Sequence, residues 1–172
     1  VSLLDHARAA RGAVRAGWIS VAAVAGGSGI WATHFVAMLA FDPGIASAYD
    51  TGLTILSLVV AILVTGMGLA IALSRPHAAL PVAGGAVFGL GISLMHYVGM
   101  AAFKIPGTIT WDRGLVTASV VFGTVFGAAA ISLALAQSSF RSKLAAAGLL
   151  TVAICSMHFV AMGAAGIRFN PL

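Results

Sequence analysis

The sequence contains little charge and a single cysteine. Only 8% of its 172 residues are Asp, Glu, Lys or Arg, whereas 60% are hydrophobic and the mean hydropathy is +1.08. So few charges cannot cover a water-soluble globule of this size, which excludes the soluble globular class. The lone cysteine, Cys155, excludes a disulfide framework within the chain. A Gly-rich phosphate loop, a Ser-His-Asp grouping and a zinc-type cysteine pair are also missing from the sequence, so we do not expect an enzyme.

Long apolar stretches, each bounded by charged or turn residues, make up most of the chain. A helix needs about 20 apolar residues to cross the hydrocarbon core of a bilayer, and five stretches reach that length. We place them at residues 17–41, 52–74, 79–103, 114–136 and 143–166. Because the connecting loops are short and no linker separates them, the sequence predicts one all-α transmembrane bundle comprising residues 1–172.

Lysine and arginine predict the orientation of this bundle, because positive charge in short loops resists translocation. With the N-terminus inside, most basic residues lie in cytoplasmic loops: Arg8, Arg11, Arg15, Arg75, Arg141 and Lys143. The others lie outside: Lys104, Arg113 and Arg168. The net charge of +5 therefore reflects membrane topology, and the expected partner is the lipid bilayer rather than nucleic acid.

Three histidines occur at one fixed spacing, each within a similar short motif. His34, His96 and His158 are separated by 62 residues each time, and each lies about seven residues before the outer end of its helix. A constant period indicates one structural unit used repeatedly, and parallel repeats are related by rotation about the membrane normal. The sequence therefore predicts a pseudo-threefold arrangement in which three imidazoles converge at one depth, roughly 10 Å below the outer surface.

Methionine accompanies these histidines, since five of the six methionines belong to the three motifs. One follows each histidine by four residues, about one helical turn away on the same face: Met38, Met100 and Met162. Met95 and Met157 directly precede their histidines, and Cys155 lies three residues before His158. We treat the histidines as candidate metal ligands, since ionisable groups inside a span are costly and functional by default. The methionines and Cys155 are candidate additional ligands or supporting residues.

Imidazole and thioether in an apolar environment suit copper best, because Cu(I) accepts sulfur and nitrogen and Cu(II) favours nitrogen. Zinc tolerates three histidines but gains little from methionine. Haem with axial His or Met ligands is an alternative from the same residue types, although the sequence has no CxxCH attachment motif. The remaining histidines, His6 and His77, fall outside the repeat and are expected in solvated loops.

The chain resembles the MHYT domain, a bacterial integral-membrane sensor domain named for a repeated Met-His-Tyr-Thr motif. Met95-His96-Tyr97 matches the first three letters, and Met157-His158-Phe159 and Thr33-His34-Phe35 are looser copies. Valine replaces the final Thr in all three copies. The resemblance implies a seven-helix unit of the bacterial inner membrane that senses oxygen, carbon monoxide or nitric oxide through bound copper. It also implies fusion to a cytoplasmic output domain, so we expect that domain and one or two flanking helices to lie outside residues 1–172.

Three classes of function follow from these observations. The leading one is a sensor in which copper at His34, His96 and His158 binds a small gas or changes redox state. The second is a copper or proton transport element with the histidines lining a pathway, which requires polar residues to continue toward the cytoplasm. The third, a membrane-embedded oxidase, requires an electron-donor site and a substrate-binding acid or base that the sequence does not offer. A homodimer is compatible with the first class.

Overall fold

The structure is a computed structural model that describes residues 2–42, 44–74, 77–136 and 139–169. Within these residues it contains six helices. Their bounds are α1 Ser2–Ala9, α2 Gly12–Leu39, α3 Thr51–Ala72, α4 Ala79–Ala102, α5 Arg113–Ala136 and α6 Phe140–Gly163. The five helices α2 to α6 are long and apolar enough to cross a membrane. The predicted all-α transmembrane bundle of five spans is therefore confirmed, while Arg75, used above for the orientation, lies outside the described residues.

Four short strands were not predicted by the sequence reading. They are β1 Ala48–Tyr49, β2 Phe103–Lys104, β3 Gly107–Trp111 and β4 Ala165–Phe169, and they form two antiparallel pairs, β1 with β2 and β3 with β4. The first pair joins the segment after α2 to the end of α4, and the second joins the segment after α4 to the end of α6. The strands thus tie together the ends of the three helices that carry the repeated histidines.

Each helix packs against the next one along the chain, and α4 lies at the centre because it also touches α2 and α6. We call the end with the strands the strand end and the opposite end, where α2 and α6 begin, the arginine end. Their side chains differ in kind. The arginine end carries Asp5, Arg8, Arg11, Arg15, Arg141 and Lys143. The strand end carries Asp42, Asp50, Lys104, Asp112, Arg113 and Arg168.

The 62-residue period extends beyond the histidines to the helix caps and crossings. Asp50 accepts a hydrogen bond from the Leu53 N–H at 2.9 Å and caps α3, and Asp112 accepts one from Leu115 at 2.8 Å at the start of α5. At Gly27, a Cβ atom would lie 2.7 Å from the Ile62 backbone. A Cβ atom at Gly89, 62 residues later, would lie even closer to the Gly123 carbonyl of α5. Small residues at these crossings let α2 and α4 approach their partner helices closely.

The short helix α1 packs against α2 and reaches the arginine ends of α5 and α6. The Arg8 guanidinium donates a hydrogen bond to the Leu135 carbonyl at 3.0 Å, and Asp5 forms an ion pair with Lys143 at 2.5 Å. The hydrogen bond that Lys143 donates to the Asp5 carboxylate, with the nearby positive charges, lowers the pKa of that carboxyl. His6 lies within α1, so the prediction that it lies in a loop was wrong, although the residue is exposed as expected. Its ring stacks on Trp18 with ring centroids 4.6 Å apart.

Candidate metal centre

The three repeated histidines occupy equivalent positions on α2, α4 and α6. His34 lies five residues before the last residue of α2, His96 six before that of α4 and His158 five before that of α6. These distances are slightly shorter than the predicted seven, because each helix gives way early to a turn or strand. All three side chains are buried, with 3%, 0% and 7% of their surface exposed. The bundle thus places three imidazoles at one depth in its interior.

The imidazoles face one another through the same ring atom. The Nδ1 atoms of His34 and His96 are 3.1 Å apart, those of His96 and His158 are 3.3 Å apart, and those of His34 and His158 are 3.4 Å apart. The point equidistant from the corners of such a triangle lies about 1.9 Å from each nitrogen, close to the bond length of a metal–imidazole contact. The triangle therefore has the dimensions of a three-coordinate metal site.

Hydrogen bonding among the rings alone leaves this cluster poorly satisfied. A neutral imidazole has one N–H donor and one acceptor nitrogen, so three Nδ1 atoms at mutual contact compete for few protons. If the protons lie on Nε2, each of the three neighbouring Nδ1 atoms has a lone pair available for a shared ligand. The Nε2 atoms of His34 and His96 are buried and have no hydrogen-bond partner among the described residues. A cation at the centre would satisfy all three Nδ1 atoms, so the residues fit a bound metal.

The donor set restricts the kind of metal. The ligand atoms of the three histidines all lie within 4.8 Å of one another. Among the described residues, these histidines form the one group of His, Cys, Asp or Glu that could hold a metal ion. The four carboxylates of the chain, at residues 5, 42, 50 and 112, lie toward the helix ends and loops. Calcium and magnesium require oxygen ligands, whereas copper and zinc accept imidazole. The centre thus fits a transition metal with nitrogen ligands.

The methionines that follow the histidines form a layer between the triad and the strands. Met38 and Met100 are each 2% exposed and pack with Phe103, and Met162 lies against the same group. Tyr49 also packs there, and burial raises the pKa of its hydroxyl. The structure thus gathers the three predicted methionines in one water-poor layer. Sequence reasoning missed the covering residues Phe103 and Tyr49, which strand pairing brings together.

The methionines that precede the histidines lie elsewhere. Met95 and Met157 are each 1% exposed and line a small cavity between α2 and α6, together with His34, His158 and Cys155. The cavity has a volume of about 100 Å³ and an almost wholly apolar lining. A water molecule takes up about 30 Å³ in the liquid, so the cavity can hold a diatomic molecule. The predicted sulfur residues therefore divide into two groups on different sides of the triad.

Gly99 shapes the centre more directly than its place in the motif indicates. A Cβ atom at Gly99 would lie 2.6 Å from the Nε2 atom of His34, closer than real Cβ contacts come. The equivalent residues in the other copies are Ala37 and Ala161. The repeat is therefore inexact at this position, and the His34 ring occupies space that an alanine on α4 would fill.

Aromatic residues surround the triad at the position after each histidine. Phe35, Tyr97 and Phe159 contact their neighbouring imidazoles edge-on, with ring centroids 4.8 to 5.4 Å apart. The Tyr97 hydroxyl is hydrogen-bonded to Ser119 at 2.7 Å. The equivalent serine of the first unit, Ser57, instead accepts from the indole N–H of Trp31 at 3.0 Å. Sequence reasoning missed both serines, although their separation of 62 residues matches the period of the histidines.

Comparison with known proteins agrees with this architecture. Residues 27–85 and 89–147 each match the family model MHYT, described as a bacterial signalling protein N-terminal repeat. The two matches begin 62 residues apart, the period of the histidines. No solved structure matches the chain.

Three curated proteins are similar over most of the chain. An uncharacterised signalling protein of Caulobacter vibrioides is 39% identical over 162 residues, which cover 94% of this chain and 20% of that protein. The cyclic di-GMP phosphodiesterase NbdA of Pseudomonas aeruginosa is 40% identical over 154 residues, which cover 86% of this chain and 20% of that protein. The bifunctional diguanylate cyclase and cyclic di-GMP phosphodiesterase MucR of the same organism is 37% identical over 165 residues, which cover 91% of this chain and 24% of that protein. The chain thus spans a fifth to a quarter of these relatives, and it belongs to the MHYT family of bacterial signalling repeats.

Proposed function

We propose that the chain is a membrane-embedded sensory domain that holds copper at His34, His96 and His158 and responds to oxygen, carbon monoxide or nitric oxide. The observation that carries this proposal is the triangle of Nδ1 atoms, whose centre lies at metal-bonding distance from three buried imidazoles. When bound, copper supplies an open coordination position and a change of oxidation state. The methionine layer favours copper over zinc, because thioethers are soft ligands.

The cavity between α2 and α6 supports the proposal of a gas as the ligand. Its lining includes two of the three histidines and is otherwise dominated by apolar side chains, which exclude charged and strongly hydrated molecules. A volume of about 100 Å³ is too small for most metabolites but large enough for a diatomic gas. In this proposal Cys155, Met95 and Met157 line the approach to the metal, while Met38, Met100 and Met162 cover it from the strand end.

The relatives support a signalling output in the cytoplasm. NbdA and MucR are named for enzymes of cyclic di-GMP turnover, and this chain matches a minor part of each. We propose that the domain lies in the bacterial inner membrane, with the triad near the periplasmic side and the arginine end facing an enzymatic or regulatory domain. A change at the triad then alters the packing of α2, α4 and α6, which run in the same direction.

The transport alternative is less well supported. A conducting path requires polar or protonatable residues that continue from the triad toward the arginine end. The described core in that direction is instead built from apolar residues such as Leu69, Phe88 and Ile131. The buried polar side chains nearest to this part of the core are hydroxyls, at Thr65 and Ser93. We therefore favour the sensor.

The first test is the metal content of the purified chain in detergent after copper loading. We expect about one copper per chain in the wild type and none in a His34/His96/His158 triple alanine variant, because three imidazoles form the whole nitrogen donor set. His6→Ala is the matched control, since His6 stacks on Trp18 near the other end, and it should keep its copper. Absence of copper from the loaded wild type would contradict the proposal.

A second test concerns gas access and uses the copper-loaded protein. Ala37→Leu places a larger side chain in the cavity next to His34, so we expect slower binding of carbon monoxide with unchanged copper content. Ala32→Leu is the control on the same helix, because Ala32 is exposed and does not line the cavity. Equal binding rates in both variants would show that gas reaches the centre by another route.

A further inference from the structure

A second cavity lies at the arginine end, at the opposite end of the bundle from the triad of His34, His96 and His158. It has a volume of about 390 Å³, within the range of small-molecule binding sites. Its polar lining comes from Arg8 on α1, Arg15 on α2, and Ser74 and His77 in the segment between α3 and α4. Apolar side chains, among them Leu73 and Leu135, complete the wall. The cavity is therefore gathered from several helices and is separate from the candidate metal centre.

The positive charge of this cavity is not balanced by protein carboxylates. Asp5, the carboxylate nearest in sequence to Arg8, already forms an ion pair with Lys143. The other three aspartates lie at the strand end. Among the described residues, the lining of the cavity contains two guanidinium groups and no acid. The charge of the described lining therefore favours an anion.

The donors around the cavity are held in place. The Arg8 guanidinium is fixed by its hydrogen bond to the Leu135 carbonyl, and four of its five N–H groups remain for a ligand. His77 accepts a hydrogen bond from the Ala79 N–H through Nδ1, at 3.2 Å. The neutral ring then carries its proton on Nε2, which makes His77 a further donor. Arg15 is half-buried, so part of its desolvation cost is met before any ligand arrives.

We propose that this cavity binds a phosphate-bearing anion, with Arg8, Arg15 and His77 as donors. Guanidinium groups match the oxygens of phosphate in geometry and charge. Basic pockets between transmembrane helices bind the headgroups of anionic lipids, and the apolar wall formed by Leu73 and Leu135 fits the glycerol and upper acyl region of such a lipid. A soluble phosphate offers the same chemistry without the apolar part. The proposal does not depend on the metal centre.

The test uses the full chain in detergent and compares two sources of phosphate. Native mass spectrometry measures the affinity for dioleoyl phosphatidylglycerol and dioleoyl phosphatidylcholine, and thermal unfolding with inorganic phosphate measures the soluble source. We expect phosphatidylglycerol to bind more tightly than phosphatidylcholine, and Arg8→Gln/Arg15→Gln to weaken that binding by about tenfold. The control is Arg11→Gln/Arg141→Gln, which removes the same charge from exposed residues outside the cavity and should change the affinity less than about twofold.

Arg8 also anchors α1 to α5, so the single variant Arg15→Gln tests binding without removing that hydrogen bond. We expect it to weaken phosphatidylglycerol binding by about threefold to fivefold with an unchanged Tm. A rise in Tm with inorganic phosphate, together with equal affinities for the two lipids, would support the anion site and assign it to soluble phosphate. Equal affinity for the two lipids with no effect of phosphate would overturn the proposal, as would equal losses in the two double variants.

Discussion

At the strand end of the bundle three basic residues are balanced by three aspartates, whereas the described arginine end carries five basic residues and one aspartate. The strand end is also closed by paired strands over a layer of methionines, while the arginine end opens into a cavity of about 390 Å³. Three buried imidazoles lie near one end, and two arginine side chains line the described cavity at the other. The two ends of the bundle therefore offer different chemistry, and our proposals assign a cation to one and an anion to the other.

Loss of one triad histidine should produce the largest change at the strand end. We expect His96→Ala to lower copper affinity by at least about a hundredfold, since removing even a residue that only supports a ligand costs about tenfold to a hundredfold. Phosphatidylglycerol binding at the arginine end should stay within about twofold of the wild type. Competition with a chromogenic Cu(I) chelator measures the copper affinity. A loss of both copper binding and phosphatidylglycerol binding would show that the two ends are not independent.

Gly99→Ala should distort the triad without removing a ligand. The new Cβ would collide with the His34 ring, so we expect a destabilisation of about 1–3 kcal/mol and a clear loss of copper affinity. Gly29→Ala on α2 is the control, because a Cβ there meets nothing within 4 Å and alanine favours the helix. Thermal unfolding and copper titration compare the pair, and wild-type copper affinity in Gly99→Ala would refute the close contact.

Removal of the side chain that caps a helix can be compared between the two ends. Asp112→Ala deletes the acceptor of the Leu115 N–H at the strand end, and Ser139→Ala deletes the acceptor of the Ser142 N–H at the arginine end. Each should cost about 1 kcal/mol of stability. We expect a fall in copper affinity in Asp112→Ala alone. The backbone N–H of Asp112 donates a hydrogen bond to the Ala164 carbonyl at the end of α6, so this cap lies beside a helix that carries a triad histidine. Equal copper affinity in both variants would contradict this link.

The smallest expected effect concerns the ion pair of α1. Because Lys143 and neighbouring charges lower the pKa of Asp5, the folded state binds fewer protons there than the unfolded state. The resulting stabilisation is present above the unfolded pKa of an aspartate and is lost as pH falls through the lower folded value. Asp5→Asn should therefore flatten the dependence of Tm on pH below about pH 4. An unchanged slope in this variant would assign the acid sensitivity to other carboxylates.

The sequence was sufficient to predict the features that depend on periodicity. Hydrophobic length placed the five spans. The constant spacing of the histidines placed their side chains at one depth, because each histidine lies five or six residues before the end of its helix. The residues that cover the site could not be found in this way. Pairing of β1 with β2 and of β3 with β4 depends on helix ends that become neighbours only after the bundle has packed.

The methionines show the same limit at the scale of single residues. Spacing placed Met38, Met100 and Met162 one turn from the histidines, and the structure gathers them. The residues that directly precede the histidines point about 100° away on the helix, and their surroundings depend on which neighbour lies there. Met95 and Met157 line the small cavity between α2 and α6. The contact between Gly99 and His34 likewise requires the distance between two helices, which no local pattern contains.

The strand pairs also determine how far a movement at the triad can travel. His96 lies six residues, about 9 Å, from the strand end of α4 and seventeen residues, about 26 Å, from its other end. If the ladder acts as a fulcrum, a 24-residue rigid helix works as a lever with unequal arms. A sideways shift of about 1 Å at the imidazole then becomes about 4 Å at the far tip. A helix held near its histidine would thus enlarge a small displacement at the triad before it reaches the arginine end.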